Sequence, residues 1–179
     1  MESSTAALFH AAPSTLERID RVQGRLLREL GLSEAEALTD YKLAPLRSRR
    51  DLAMLGLLHK LNLGLAPRQL QDLFGNLGSV EEPAWKHRLR GWRALHTKQL
   101  RTPATHWSTD VFKRSVFGLV HVYNYLPQGL VDKPTVKAFQ KGLQDALSKL
   151  AAARVDDWQS LFSTGWRRYR RQDFDKLFS

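Results

Sequence analysis

The sequence predicts an all-α fold in the form of an irregular helical bundle. Hydrophobic residues make up 42% and charged residues 26% of the 179 positions, close to the averages of globular proteins. Apolar residues recur at helical spacing in several segments, and residues that cap helices stand at the ends of these segments. We expect one domain over residues 1–163, with a long loop-rich excursion around 75–109, followed by a basic tail over 164–179.

The first predicted helix spans residues 15–30. Ser14 and Glu17 have the spacing of a capping box, in which each side chain bonds the other residue's backbone amide. Gly31 can adopt the left-handed conformation that commonly ends a helix. One helical stripe consists of Leu16, Ile19, Gln23, Leu26 and Leu30, with Val22 and Leu27 alongside and Arg18, Arg21, Arg25 and Arg28 on the flanks.

Three more helices are expected before residue 75. Ser33 and Glu36 form a second capping box, for a helix over 33–39. The segment 46–63 is apolar on nearly every side, which is typical of the buried centre of a bundle. Gly64 ends this helix, and Pro67 begins a short one over 67–74.

The C-terminal half has weaker signals at first and clearer ones later. Residues 75–109 show neither helical nor strand periodicity. A helix over 110–125, capped by Asp110, is predicted to stop at Pro127-Gln-Gly129. Pro134 occupies a first-turn position of the next helix, over 134–152. A last short helix is expected over 155–162.

The charge of the chain indicates a polyanionic partner. Its 28 lysines and arginines outnumber its 18 aspartates and glutamates, for a formal net charge of +10. Nucleic acid is the first expectation and an anionic membrane surface the second, and with no apolar run long enough to span a bilayer we expect no membrane partner. The absence of cysteine excludes disulfides and cysteine zinc sites. We expect a protein of the nucleus or cytoplasm.

Arg47, Arg49 and Arg50 form the first candidate nucleic-acid site, at the start of the 46–63 helix. Cations there oppose the helix dipole, at a cost of roughly 0.3–1 kcal/mol each when exposed. A phosphate docked between them and the free backbone amides would remove that cost. The alternative is a solvated cluster that is partly neutralised by Asp51 and nearby glutamates.

Two further basic segments are candidates for binding RNA or DNA. The first is the acid-free window 83–109, which contains Lys86, Arg88, Arg90, Arg93, Lys98 and Arg101 interleaved with Trp85, Trp92 and Trp107. Such a pattern suits single-stranded nucleic acid, although the tryptophans can equally anchor a loop on the core. The second is the tail segment that holds Arg167, Arg168, Arg170 and Arg171. It can grip phosphates or simply fray in solvent.

No catalytic or metal-binding pattern can be assembled from the sequence. The six histidines lack the i, i+4 spacing of a helical metal site, and glycine-rich phosphate loops and nucleophile elbows are missing. Asp156 and Asp157 resemble the paired aspartates of polymerases, but they follow an alanine-rich helix and precede Trp158, which favours a helix cap. We expect no enzyme activity, cofactor, metal or small-molecule substrate, and the oligomeric state stays open.

Three blocks of the sequence together resemble a known family. The blocks are residues 9–23 with 27–32; residues 43–47, 49–56 and 58–60; and residues 114–119 through 124–127, with Phe139, Gln140 and Leu143. In this order they resemble the C-terminal, post-catalytic region of non-LTR retrotransposon reverse transcriptase polyproteins, in or beyond the thumb.

The resemblance implies a non-catalytic remnant. The endonuclease module and the fingers and palm with their aspartates are missing, so polymerisation and cleavage are not expected. What the resemblance retains is thumb-like contact with a template–primer duplex or element RNA, through lysine and arginine contacts to phosphates. The alternative is a helical protein-interaction module, with an apolar groove between the 46–63 helix and the helix over 134–150.

Overall fold

The computed structural model describes residues 8–74, 96–101, 115–163 and 177–178. Within these ranges the chain forms seven α-helices and one 3-10 helix, Trp158–Ser160, without a β-strand, which confirms the all-α prediction. The α-helices are α1 Pro13–Glu29, α2 Glu34–Thr39, α3 Leu46–Asn62, α4 Arg68–Leu73, α5 Val116–Tyr125, α6 Gln128–Val131 and α7 Val136–Ala152. Among the described residues, no helix has the length and apolarity that crossing a membrane requires.

Helix α3 is the centre of the fold, as its all-round apolar sequence predicts. It packs against α7 and α5 and, on another side, against α1. Leu55 and Leu58 are fully buried, and Leu52 and Leu61 nearly so. Because a helix surrounded on several sides must be apolar on all of them, the lack of a polar face in 46–63 follows from its position.

A buried polar network lies beside this apolar core. His59 on α3 stacks on Phe139 of α7, with 4.2 Å between the ring centroids. Its Nε2–H donates to the Lys133 carbonyl at 2.9 Å, and its Nδ1 accepts from the Tyr123 hydroxyl at 3.1 Å. Asn62 donates to the same hydroxyl at 3.0 Å. These directions agree only for a neutral imidazole, and burial lowers the pKa of His59 accordingly.

Helix ends with local capping signals lie where the sequence places them. Ser33 and Glu36 form both bonds of the capping box at the start of α2. Gly31 and Gly64 take positive φ angles of 69° and 70° just after α1 and α3. At each of these two ends the paired backbone bonds of a Schellman motif form, as in Leu32 N–H to Leu27 O and Leu65 N–H to Lys60 O.

Three predicted helix starts are wrong. Helix α1 begins at Pro13 after Ala12, without a side-chain cap, so the capping box at Ser14 does not form. Proline suits the first turn because it has no amide to satisfy there. Helix α5 begins at Val116, where Ser115 accepts from the Phe117 amide, while the predicted cap Asp110 lies outside the described residues. Helix α7 begins at Val136 with Thr135 as its cap, so Pro134 precedes the helix and does not occupy its first turn.

Two short segments also differ from the prediction. Residues 128–131 form α6, where the Pro127-Gln-Gly129 sequence predicts only a helix stop. The predicted helix over 155–162 is reduced to the 3-10 helix after Asp157, whose left-handed φ of 62° prevents an α-helical continuation. No side-chain cap forms at Asp157.

The predicted excursion and tail are only partly described. Residues 75–95, 102–114 and 164–176 lie outside the described ranges. The short piece 96–101 is bound to α5, where the Asn124 side chain exchanges two hydrogen bonds with Leu100, at 2.8 and 2.9 Å. At the C-terminus, Leu177 and Phe178 pack against the core, and Lys149 donates to the Leu177 carbonyl at 3.0 Å.

Candidate anion-binding groove

A groove of about 890 Å³ runs between α3, α7 and the connector that precedes α3. Its lining consists of Lys42, Leu43, Ala44, Arg49, Leu52, Ala53, Val136, Lys137, Gln140, Lys141 and Gln144. The lining combines apolar side chains with cations and glutamines. The sequence predicts an apolar groove for a protein partner at this place, but the groove is also cationic.

Helix α7 supplies one wall of the groove from a single face. Lys137, Gln140, Lys141 and Gln144 follow the i, i+3, i+4, i+7 spacing that aligns side chains on one side of a helix. Gln140 donates to the Leu52 carbonyl of α3 at 3.3 Å, and Gln144 donates to the Lys42 carbonyl at 3.4 Å. The two glutamines hold the walls at a set separation and leave both lysines directed to solvent.

The charge of the groove has one sign. Among the described residues, Lys42, Arg49, Lys137 and Lys141 line it, and no aspartate or glutamate does. In the described part of the chain, no carboxylate lies within ion-pair distance of any of these four cations. Clustered like charges repel one another, so a bound anion would stabilise this arrangement.

The three arginines predicted to share one phosphate point in different directions. Arg49 lines the groove, and Arg47 is exposed outside it. Arg50 is buried, and its guanidinium makes a bidentate ion pair with Asp20 of α1 at 2.7 and 2.8 Å. The prediction that Arg50 contacts a phosphate is therefore corrected, because both ends of its fork are already bound within the protein.

The amides at the start of α3 are also less available than the sequence suggests. Gln23 of α1 accepts from the Leu46 amide at 2.8 Å and donates to the Ala44 carbonyl at 3.2 Å. Burial raises the pKa of Asp51 to about 8, against the opposing effect of Arg47 and Arg50. The raised pKa makes Asp51 a weaker counter-ion for the arginine cluster than an exposed aspartate would be.

The other predicted binding residues lie mostly outside the described ranges. Lys86, Arg88, Arg90, Trp92, Arg93, Arg167, Arg168, Arg170 and Arg171 all do so. Lys98 is described, and it is engaged by the Asp132 carboxylate at 3.5 Å and the Val131 carbonyl at 3.2 Å. Arg101 is exposed.

Sequence reasoning missed three of the four groove cations. Lys137 and Lys141 could have been recognised from the sequence, because two lysines at i and i+4 lie on the same side of a helix and form a cationic strip. Lys42 carries no such signal. It has a left-handed φ of 57°, and its ammonium donates to the Thr39 carbonyl at the end of α2, 2.7 Å away.

The described helices and the groove together define a helical domain with a cleft whose cations have no carboxylate partner among the described residues. In the described ranges, no group of three His, Asp or Glu side chains is arranged to hold a metal ion. Comparison with protein-family models, with curated proteins and with solved structures finds no match to this chain.

Proposed function

We propose that this protein is a non-catalytic nucleic-acid-binding domain, derived from the C-terminal region of a non-LTR retrotransposon reverse transcriptase. The observation that carries the proposal is the groove between α3 and α7, whose described lining residues include four cations and no acid. Its ligand is the phosphate backbone of RNA or DNA, and it performs no polymerisation or cleavage.

The spacing of the groove cations suits a charged backbone. Lys137 and Lys141 are one helical turn apart, about 6 Å along the axis of α7, so they can contact neighbouring phosphates of one strand. Lysine binds a phosphate as a flexible point charge and does not read base edges. The groove therefore favours affinity with little sequence preference.

The resemblance supports the same location. Its second block lies on α3 and the connector before it, and its third block includes Phe139 and Gln140 on α7. These two blocks meet in the fold through the stacking of His59 on Phe139 and the bond from Gln140 to Leu52. Part of the groove lining belongs to these blocks, including Arg49 and Gln140, whereas Lys42, Lys137 and Lys141 lie outside them.

A salt titration of nucleic-acid binding tests the proposal. Fluorescence anisotropy with a labelled RNA strand and a labelled DNA duplex is measured between about 50 and 200 mM salt, a range over which the Debye length falls about twofold. We expect the logarithm of the affinity to fall linearly with the logarithm of salt concentration. The double variant Lys137→Gln, Lys141→Gln should lower the magnitude of the slope by about 1.4–1.8, because each phosphate contact contributes roughly 0.7–0.9.

The matched control is Lys60→Gln with Arg68→Gln, which removes the same charge from exposed positions outside the groove. The control should keep the wild-type slope. An equal loss in both variants would show that net charge alone drives binding and would contradict a groove site. Absence of binding at the lowest salt would reject the nucleic-acid role and favour the protein-interaction alternative.

A further inference from the structure

Helix α1 is attached to the body through its polar side. Asp20, Gln23 and Leu27 lie on one face at i, i+3 and i+7, and they supply the Arg50 ion pair, the amide bonds to the connector and one buried leucine. Leu27 is the only fully buried residue of the helix. An amphipathic helix ordinarily buries its apolar stripe against the protein. In α1 this attachment leaves part of the apolar surface exposed.

Three apolar side chains in the C-terminal half of α1 and at its C-cap face solvent, whereas Leu16 and Ile19 are half-buried. Val22, Leu26 and Leu30 are 70%, 48% and 60% exposed. Their i, i+4, i+8 spacing forms a single stripe of about two turns. Leu26 and Leu30 belong to the apolar stripe visible in the sequence of this helix, but the helix contacts the body through the neighbouring face. Scattered exposed leucines are ordinary, but an aligned row on one helix marks a contact surface.

A row of arginines borders the stripe on one side. Arg18, Arg21, Arg25 and Arg28 are all exposed, and their 3, 4, 3 spacing keeps them on one flank of α1. Two of them lie along their own helix, with Arg21 and Arg28 donating to the carbonyls of Glu17 and Gly24. In the described part of the chain none forms an ion pair with a carboxylate, and Glu29 is the one acid at the edge of the stripe.

We propose that α1 docks an acidic amphipathic helix from a partner protein. The partner's apolar residues would cover Val22, Leu26 and Leu30, and its aspartates or glutamates would face the arginine row, as in helix-in-groove and coiled-coil recognition. A second copy of this chain fits poorly, because it would bring a second arginine row against the first. An anionic membrane fits poorly as well, because the cations flank the stripe on one side while the protein body occupies the other.

A defined peptide probe tests this proposal with the full-length protein. The probe is a synthetic 18-residue helix of about five turns, with leucine at alternating i+3 and i+4 positions and glutamate on one flank. A second peptide has lysine in place of every glutamate. By isothermal titration or anisotropy, we expect the acidic peptide to bind at least ~10-fold more tightly than the basic one, since charge complementarity selects partners.

Variants of exposed residues separate the contributions without unfolding the domain. Val22→Ser with Leu26→Ser should weaken the acidic peptide at least ~10-fold, whereas Leu65→Ser with Leu73→Ser, also exposed but on other segments, should leave it unchanged. Arg18→Glu with Arg25→Glu should reverse the preference in favour of the basic peptide. Lys137→Gln with Lys141→Gln should not alter peptide binding, which keeps this test independent of the nucleic-acid proposal.

Several results would overturn the docking proposal. Equal affinity for the two peptides, or loss of binding in the Leu65 and Leu73 control, would remove the evidence for a specific surface. Absence of peptide binding, with vesicles of phosphatidylserine bound through Val22 and Leu26 instead, would identify a lipid contact. A concentration-dependent dimer that V22S/L26S abolishes, without peptide binding, would identify a second copy as the occupant.

Discussion

At the scale of single residues, Tyr123 of α5 joins two other parts of the chain. Its buried hydroxyl donates to His59 on α3 and accepts from Asn62, while its carbonyl accepts from His96 of the segment before α5 at 3.1 Å. Burial raises the pKa of this phenol, so the hydroxyl stays protonated and keeps its donor role. A polar network of this kind stabilises a core only when every member is satisfied.

Removing that hydroxyl should destabilise the fold measurably. Tyr123→Phe leaves the Nδ1 of His59 buried without a donor, which costs about 1–3 kcal/mol of the free energy of unfolding. Urea denaturation measures the loss. Tyr41→Phe is the control, because Tyr41 is 66% exposed, and it should change stability by less than ~0.5 kcal/mol. A Tyr123→Phe protein as stable as wild type would show that the network contributes no net stability.

The groove shows how one residue type takes different roles at neighbouring positions. Arg47, Arg49 and Arg50 are close together in sequence, but a helix turns them to solvent, to the groove and to α1. The sequence shows only their proximity. Which arginine is free for a ligand depends on Asp20 lying opposite Arg50, thirty residues away along the chain.

At the scale of secondary-structure elements, helix α7 ends in the same way as α1 and α3 but without glycine. Arg154 occupies the left-handed position with a φ of 51°, and Val155 N–H donates to Leu150 O at 3.1 Å, as in a Schellman motif. A side chain in this conformation costs roughly 1 kcal/mol, because its Cβ crowds the following carbonyl.

Glycine at this end should therefore stabilise the protein. Arg154→Gly is expected to raise the free energy of unfolding by up to about 0.5 kcal/mol, which is the strain of roughly 1 kcal/mol less the entropy cost of glycine. The reciprocal change Gly31→Ala, at the left-handed end of α1, should lower it by about 1 kcal/mol. Thermal melts of both proteins give the signs, and destabilisation by Arg154→Gly would contradict the assignment of strain.

Whether an element could be predicted depended on how local its determinants are. The 33–39 and 46–63 helices lie within about one residue of their predicted ends because Ser33, Glu36 and Gly64 act within a few residues of those ends. Helix α6 was not predicted, since Pro127 and Gly129 are the two residue types least favourable inside a helix. In the folded protein, α6 places Leu130 and Val131 in the core.

At the scale of the whole molecule, stability depends on α3 lying between α7, α5 and α1. Leu55 and Leu58 are fully buried near its middle and belong to the single large core. A fold of this size has a total stability of about 5–15 kcal/mol, so a few core contacts decide whether it forms.

A charge at the centre of α3 should unfold the domain. Leu55→Asp buries an unpaired carboxylate and removes apolar contacts, at a cost of ~4 kcal/mol or more. Leu65→Asp is the control, since Leu65 is 62% exposed. Circular dichroism melts should show no cooperative transition for Leu55→Asp and a near-wild-type one for Leu65→Asp. An unchanged melt for Leu55→Asp would show that α3 is not the core.

The amino-acid sequence by itself determined the helical class, the central position of α3 and the helix ends with nearby caps. Only the tertiary structure decided that Lys42 and Arg49 meet Lys137 and Lys141 across a groove, and that α1 turns its polar side inward. The physical reason is distance along the chain. Helical periodicity and capping act over a few residues, whereas the groove and the orientation of α1 arise from packing between segments twenty to ninety residues apart, as in the bonds from Gln23 to Leu46 and from Gln140 to Leu52.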